Sequence, residues 1–510
     1  MSKPTEPRDS REIRHWDSDA DVVVVGLGCA GAAAAIEAAH AGARVVVLER
    51  ASGGGGTSAM SGGVIYLGGG TAVQRACGFE DSPDAMFAYL MASSGPLPDE
   101  AKIRAYSDGS VEHFDWLVAQ GVPFKASFYP HYSGEPPTDD GLVFSGSENA
   151  HPYNGIARPA PRGHVPQIPG RAGGLLMRTL LAAVERAGAE IVPDARVQTL
   201  VVAPDGASVP SPTRPSPARQ SATGQSPAGQ SPAPRVVGAI ARIDGAERAV
   251  RARRGVILAA GGFINNDTML RHHAPLLLRC QFRVGADGDD GSGIRMGLGV
   301  GGAAVNLGMG SVSLPLIPPK KLQKGILVDG HGQRFINEDA YYGRLGEYAL
   351  FRHDGRAFLV LDSETFERPE VPREIAAVGE TVAELEQGLG LPDGSLQATV
   401  ALYNRHAERG EDPMFRKAAE WVTPLVHAPY AALDRTVDNS LYATFTLGGL
   451  HTTPDGEVLT ADGDVVPGLF AAGRTAAGIA APGYSSGISL GDGTFFGRRA
   501  GRRAAALRSG

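Results

Sequence analysis

The stretch GYSSGISLGDGTFFGRRAG, Gly483–Gly501, sets one tyrosine and three serines among six glycines, directly ahead of helix-like sequence. A phenol of ordinary pKa, about 10, donates a hydrogen bond well but is a poor base unless its anion is stabilised. The means to do so lie beside Tyr484: the backbone N–H groups of Gly487 and Ile488, and the positive end of a helix expected to begin near Leu490. Ser486 adds a hydroxyl that donates and accepts, as a proton relay requires. A tyrosine taken alone is more often a packed core residue with its hydroxyl satisfied, so this loop needs a partner before it has a role.

A nucleotide motif supplies the partner. In DVVVVGLGCAGAAAAIEAAHAGARVVVLER, Asp21–Arg50, Gly26 makes the tight turn after a strand. Gly28 lets the backbone approach a pyrophosphate, and Gly31 lets the helix pack on the strand. The helix start offers orphan N–H groups to phosphate, and Glu49 closes the second strand where an acidic side chain binds ribose hydroxyls. The Gly/Ser/Thr loop that follows, Ala51–Gly70, can wrap a second phosphate and reach an isoalloxazine ring, which an NAD-dependent enzyme has no need to do. GVILAAGGFINND and PGLFAAGRTAAG each end a strand in small residues, as if a cofactor lay across the sheet edge. FAD is therefore expected. No histidine stands near the Thr57–Ser61 loop, so it is expected to be noncovalent, and no second GxGxxG follows a strand.

Around these motifs the chain alternates strands and helices in a doubly wound α/β pattern. DVVVVG, RVVVLE, EIVPDARVQTLVV and GVILAAGG read as strands, and Ala30–Gly42, Ala172–Gly188 and Gly291–Gly302 as helices closed by glycine. At 510 residues the chain is too long for one core, and the less regular stretch from about Ala303 to Thr436 reads as a second domain. It includes an amphipathic helix in LQATVALYNRHAERG. The Ser/Pro-rich segment 204–235 cannot bury enough surface to order itself and reads as a disordered hairpin extension, with an interdomain linker as the rival reading. A net charge of −7 argues against a nucleic-acid partner. No apolar run suggests a secretory signal or a membrane span, so a cytoplasmic protein is expected. Cys29, Cys77 and Cys280 lack disulfide or zinc spacing, His272 and His273 read as solvated, and His451 as a turn cap; no metal site is expected.

With the motifs in this order, the sequence resembles the fumarate reductase/succinate dehydrogenase flavoprotein superfamily over nearly its whole length. GGGTSAMSGG, ILAAGGF, DGDDGSGIRMGLGVGG, LVDGHGQRFINED, TLGGLHTTPDGEVL and LFAAGR carry the resemblance together with the nucleotide motif. It implies a Rossmann-like FAD-binding domain, 17–302 and 437–510, interrupted by an α+β substrate-capping domain, 303–436. It implies FAD contacts from Gly26, Gly28, Ala30, Gly31, Glu49 and Arg50, and from Thr57, Ser58, Ser61, Gly62 and Gly63. Others are implied at Val197, Ala260, Gly261, Asn265, Asp290 and Gly291, then at Ala472, Gly473, Arg474, Gly487, Ser489 and Leu490.

The substrate is read from departures. Two buried carboxylates demand paired cations. The fumarate-type pattern would place its arginine four residues after Glu338, where this chain has Tyr342, and LYATFTLGGL offers Tyr442 and Phe445 where a histidine is usual. The arginine-to-tyrosine exchange is similar to that of 3-ketosteroid dehydrogenases, and the tail looks most like the Δ4-(5α) group. The resemblance implies a small apolar ketone, a steroid, desaturated at C4–C5, with hydride to flavin N5 and the α-proton to a tyrosine base. In that reading Tyr342 is the base, Tyr484 polarises the carbonyl and Ser486 relays the proton; the tyrosines are interchangeable, and Tyr341 can stand in for Tyr342. Phe445, Gly487 and Ile488 complete the substrate contacts. A Δ1-dehydrogenase, a fumarate-type reductase of an unsaturated acid, and a flavin carrier or sensor without turnover remain alternatives. The electron acceptor and oligomeric state are unassigned.

Overall fold

The computed structural model describes residues 4–131, 135–203, 234–316, 318–369, 374–481 and 483–508. Residues 204–233, and with them nearly all of the Ser/Pro-rich segment, lie outside the described residues.

Runs of β-branched residues set the frame. Val22–Val25 and Val45–Leu48 are buried on both faces, as central parallel strands require. They belong to a nine-stranded sheet in which Ala246–Leu258, Ser18–Val25, Val45–Leu48 and Glu190–Val192 lie side by side and parallel. Val465–Ala471 pairs parallel to the far end of Ala246–Leu258. The register aligns Leu258 with Val25 and with Ala471, and Val25 with Leu48. The loops after these strands therefore emerge at one edge, where ligands of open α/β sheets bind.

EIVPDARVQTLVV forms two strands, Glu190–Val192 and Arg196–Ala203, broken by a turn at Pro193 and Asp194, the latter with φ 51. Arg196–Ala203 pairs antiparallel with Arg235–Ile243, with Arg235 opposite Ala203, so the strands flanking the Ser/Pro segment are partners. Arg8–Asp9 pairs parallel with Arg196–Ala203, which brings part of the polar N-terminal stretch into the sheet.

The first helix, Cys29–His40, is almost wholly buried between the sheet and the last helix, Ile488–Ala506. Their contact explains glycines of the tail. A Cβ on Gly497 would lie 2.4 Å from the Ala30 carbonyl oxygen, and one on Gly501 2.3 Å from that of Ala34. The helix starts at Ile488, two residues earlier than expected, behind Gly487 in a left-handed conformation (φ 98). Gly491, Gly493, Gly497 and Gly501 are thus helix-packing residues, and only the first part of the stretch is loop.

Between residues 303 and 436, four antiparallel strands form a separate sheet in the order Ile326–Asp329, Ala357–Asp362, Tyr430–Asp434, Ile375–Gly379. The amphipathic stretch is helical over Ser395–Ala407 and buries Leu396, Val400 and Tyr403. Leu345, Ala349, Leu359 and Leu433 of this region share one core cluster with Val25, Val46 and Leu258 of the large sheet. A small sheet built from Ile65–Tyr66, Gly163–His164, Leu142–Val143 and Phe128–Tyr129 carries the segment that later reaches the tyrosines. No helix among the described residues is long and apolar enough to cross a membrane.

Candidate active site

One cavity of about 900 Å³ runs from the nucleotide motif to the tyrosines. Its floor is the edge where the parallel strands end. Gly26 takes φ +97, and a Cβ there would sit 2.5 Å from the Ala259 carbonyl oxygen, so the turn requires glycine. Gly28 caps the Cys29–His40 helix without any side-chain cap bond, and Gly28, Cys29 and Ala30 line the cavity. Gly31 stands behind them: a Cβ would lie 2.0 Å from the Gly26 carbonyl oxygen, which is why the helix approaches the strand so closely. The Glu49 carboxylate lines the cavity and accepts the Leu27 and Ala51 N–H groups at 2.7 and 2.8 Å, which fixes its orientation.

Thr57, Ser58, Ser61, Gly62 and Gly63 line the next section, and the Ser58 hydroxyl accepts the Cys29 N–H at 3.2 Å. Arg50, Val197, Ala260, Gly261, Gly473, Arg474, Gly487, Ser489 and Leu490 also line it. Six expected positions do not. Besides Gly31, these are Asn265, whose amide donates to the Ala286 carbonyl, and Asp290, which is ion-paired to Arg50 at 3.0 Å. Gly291 caps the Ser292–Gly299 helix against Met269, while Ala472 and Ile488 are buried in the wall.

Of the adjacent pair Asp289 and Asp290, it is Asp289, one position earlier, that lines the cavity. It accepts the Thr57 hydroxyl at 2.7 Å and the Gly262 N–H at 3.1 Å, and pairs with Arg474 at 3.0 Å. It thereby ties three loops together. The DGDD run contains both aspartates, and only the register of the loop separates their roles. Ser311, Ser313 and Ala443 were also not legible; they lie on adjacent strands, Ser313 opposite Ala443 and Ser311 opposite Phe445, and present one face to the cavity. Alternation along GSVS and ATFT was the available signal.

At the far end stand Tyr341, Tyr342, Tyr484 and Phe445. The Ser486 hydroxyl bonds both the Tyr342 hydroxyl, at 2.9 Å, and the Tyr341 hydroxyl, at 3.0 Å. Tyr341 and Tyr342 therefore share one serine. Tyr484 accepts the Ser489 N–H at 3.1 Å, so the backbone donor comes from the helix's first turn and not from Gly487 or Ile488. Its ring meets Phe445 edge-on at 5.1 Å. Burial raises the Tyr484 pKa despite the Ser489 bond, and burial beside Tyr342 and Tyr484 raises that of Tyr341 well above the usual phenol value. Tyr442, in contrast, is a core residue, fully buried and donating to the Arg435 carbonyl at 2.8 Å.

The charges settle what this end can hold. The guanidinium groups in the lining belong to Arg50, Arg196 and Arg474, and each pairs with Asp290 or Asp289. The described lining contains no histidine. His272 and His273 contact each other near the surface, and His451 lines a small cavity of about 220 Å³ beside Lys102. Among the described residues no His/Cys/Asp/Glu group could hold a metal ion.

The donor set fits FAD. An uncapped helix start faces the cavity, an oriented carboxylate follows at the end of the second strand, and hydroxyls of Thr57 and Ser58 lie between. The volume is at the upper end of the range for cofactor sites, roughly 300–1,000 Å³.

Comparison with known proteins agrees with this geometry. Residues 21–490 match the model of the FAD binding domain family. A 3-oxo-5-alpha-steroid 4-dehydrogenase of Comamonas testosteroni is 32% identical over 503 residues, covering 90% of this chain and 93% of that protein. The crystal structure of 3-ketosteroid-delta4-(5alpha)-dehydrogenase from Rhodococcus jostii RHA1, in complex with 4-androstene-3,17-dione, is 46% identical with a TM-score of 0.88. That match covers 98% of this chain and all of the other. A 3-ketosteroid delta1-dehydrogenase from Sterolibacterium denitrificans, 20% identical with a TM-score of 0.67 over 96% of this chain and 100% of that chain, shares the fold.

Proposed function

This chain belongs to the FAD-binding domain family of flavoproteins, its cofactor is FAD, and on that premise we propose that it desaturates the C4–C5 bond of 5α-reduced 3-ketosteroids. One observation carries the reading. The cavity ends in three phenols and a phenyl ring, while every guanidinium in its described lining is paired with an aspartate. Such a site greets an apolar molecule with a single carbonyl and offers a dicarboxylate no free cation. Similarity to the Rhodococcus and Comamonas enzymes supports C4–C5 over C1–C2.

The helix start at Gly28 would hold the pyrophosphate, Glu49 the ribose, and the Gly487–Leu490 turn the isoalloxazine edge. We read the cofactor as noncovalent. When bound, FAD supplies the two-electron acceptor for the substrate's carbon–carbon bond. Tyr484 stays a neutral phenol because burial raises its pKa, and it donates to the C3 carbonyl as charge develops there. Tyr342 removes the α-proton. Its anion is stabilised by the Ser486 hydroxyl, which in turn accepts from Tyr341. In both bonds either hydroxyl can donate; with Tyr342 ionised the chain donates toward it, and on that basis we assign Tyr342 rather than Tyr484 as the base.

Dye-linked assays with 5α-androstane-3,17-dione, 4-androstene-3,17-dione and succinate test the proposal. Turnover of the first alone is expected. Turnover of 4-androstene-3,17-dione would indicate Δ1 chemistry, and turnover of succinate a fumarate-type site.

A further inference from the structure

The phenols come from two chain segments far apart in sequence. Tyr341 and Tyr342 begin the Tyr342–Arg352 helix, and Tyr484 to Ser486 precede the last helix. Their spacing decides whether one substrate can touch both. A third segment, Ser145–Glu148, lies between them and bonds to each. The Ser147 hydroxyl accepts the Tyr341 N–H at 3.1 Å. On the other side, the Ser486 N–H donates to the Ser145 carbonyl at 2.9 Å, and the Ser145 hydroxyl donates to the Ser486 carbonyl at 2.9 Å.

One further hydroxyl closes this arrangement. Tyr89, on the Pro83–Ser93 helix and 1% exposed, accepts the Ser147 N–H at 2.9 Å and shares a hydrogen bond with the Ser485 hydroxyl at 2.9 Å. It touches the Ser145–Glu148 segment and the Tyr484 loop at once. Its ring is held on several sides. Tyr66 stacks at 6.1 Å, Tyr153 meets it edge-on at 5.5 Å, and the Arg162 guanidinium sits 5.4 Å away. Arg162 is fixed in turn by Asp81 at 2.7 Å, with both side chains fully buried. The fit leaves no slack: a Cβ on Gly146 would lie 2.4 Å from the Tyr89 hydroxyl and 2.5 Å from that of Ser485.

We infer that Tyr89, acting through Ser147 and Ser485, is a positioning residue that fixes the distance between the two phenol-bearing segments. It lies outside the cavity lining and touches no reacting atom. The inference rests on the phenol roles proposed above. A displacement of a few tenths of an ångström at the phenols is enough to lower the rate, because proton transfer and carbonyl polarisation need one substrate pose.

Tyr89→Phe keeps the ring and removes only the hydroxyl. The expected result is full FAD content, a KM for 5α-androstane-3,17-dione within about threefold of wild type, and a kcat lower by about tenfold or more. Gly146→Ala, which pushes a methyl group between the two hydroxyls, should lower kcat further at similar KM. An unchanged kcat in Tyr89→Phe overturns the inference. So does a loss of activity that only tracks lost FAD or a lowered melting temperature, which would make Tyr89 a packing residue. A double-mutant cycle of Tyr89→Phe and Ser485→Ala in chemical unfolding reads the bond without substrate. Additive effects in that cycle would also contradict it. If the wild-type protein does not oxidise the ketone, the functional reading fails, and the cycle still reports on the strut.

Discussion

Tyr484 accepts the Ser489 N–H at 3.1 Å, so its own proton remains available to a substrate oxygen. Tyr342 has the opposite surroundings, with a serine hydroxyl at 2.9 Å that can donate to its oxygen and a second phenol behind that serine. Tyr484→Phe should keep FAD and lose about 10²–10⁴-fold in kcat, measured by dye reduction. Ser486→Ala removes the donor to the Tyr342 anion. Its phenolate is then less stabilised, so the rising limb of the rate profile, along which Tyr342 loses its proton, should move to higher pH; a limb that stays in place would remove Ser486 from the relay. The Gly/Ser loop singled out Tyr484 and Ser486 in the sequence, while Tyr342 was reached only through the resemblance, as the residue standing where the fumarate-type pattern has arginine. Sharing of one serine by Tyr341 and Tyr342 was not legible, because it depends on two segments meeting across the fold. Nor was the choice of Asp289 over Asp290, where adjacent identical residues differ only in the direction they face.

At the scale of elements, the two helices that frame the cofactor site depend on missing side chains. The Gly497 position has 2.4 Å to the Ala30 carbonyl oxygen, and the helix Cys29–His40 presents Gly28 to the cavity. Gly497→Ala should therefore lower FAD affinity although Gly497 does not line the site; equilibrium dialysis showing unchanged affinity would sever that link. Asp492, in the same last helix, is pushed up to about 6 from the ordinary 3.8 by burial, against an opposing bond from the Ile479 N–H. The folded state favours its protonated form, so the stability linked to it is present below about pH 4 and lost as pH rises through 6. Asp492→Asn should be more stable than wild type at pH 8, by an amount on the order of 1 kcal/mol, with the difference shrinking toward pH 4. Periodicity and glycine spacing announced both helices. The sequence placed the start of the last helix near Leu490, two residues late, and gave its glycines no packing role, because that role shows only once the partner helix is placed.

At the scale of the molecule, the strand pairing of Ala203 with Arg235 makes the Ser/Pro segment an excursion from a closed hairpin. Replacing residues 204–234 by an Asn-Gly turn should leave FAD content and turnover within about twofold, since loop length costs little in closure entropy. A shared core joins the 303–436 region to the large sheet, and that continuity fixes the phenols of one against the cofactor loops of the other. The α/β pattern and the cofactor were readable from motifs confined to short stretches. The meeting of Tyr342 with Ser486, 144 positions apart, followed from no local motif and was expected only through the resemblance. Whether the meeting does the proposed chemistry is tested most directly by anaerobic mixing of the FAD-loaded protein with 5α-androstane-3,17-dione, followed by product identification. Bleaching of the flavin absorbance with formation of 4-androstene-3,17-dione is the expected result. Persistent yellow absorbance, or a 1-ene product, would contradict it.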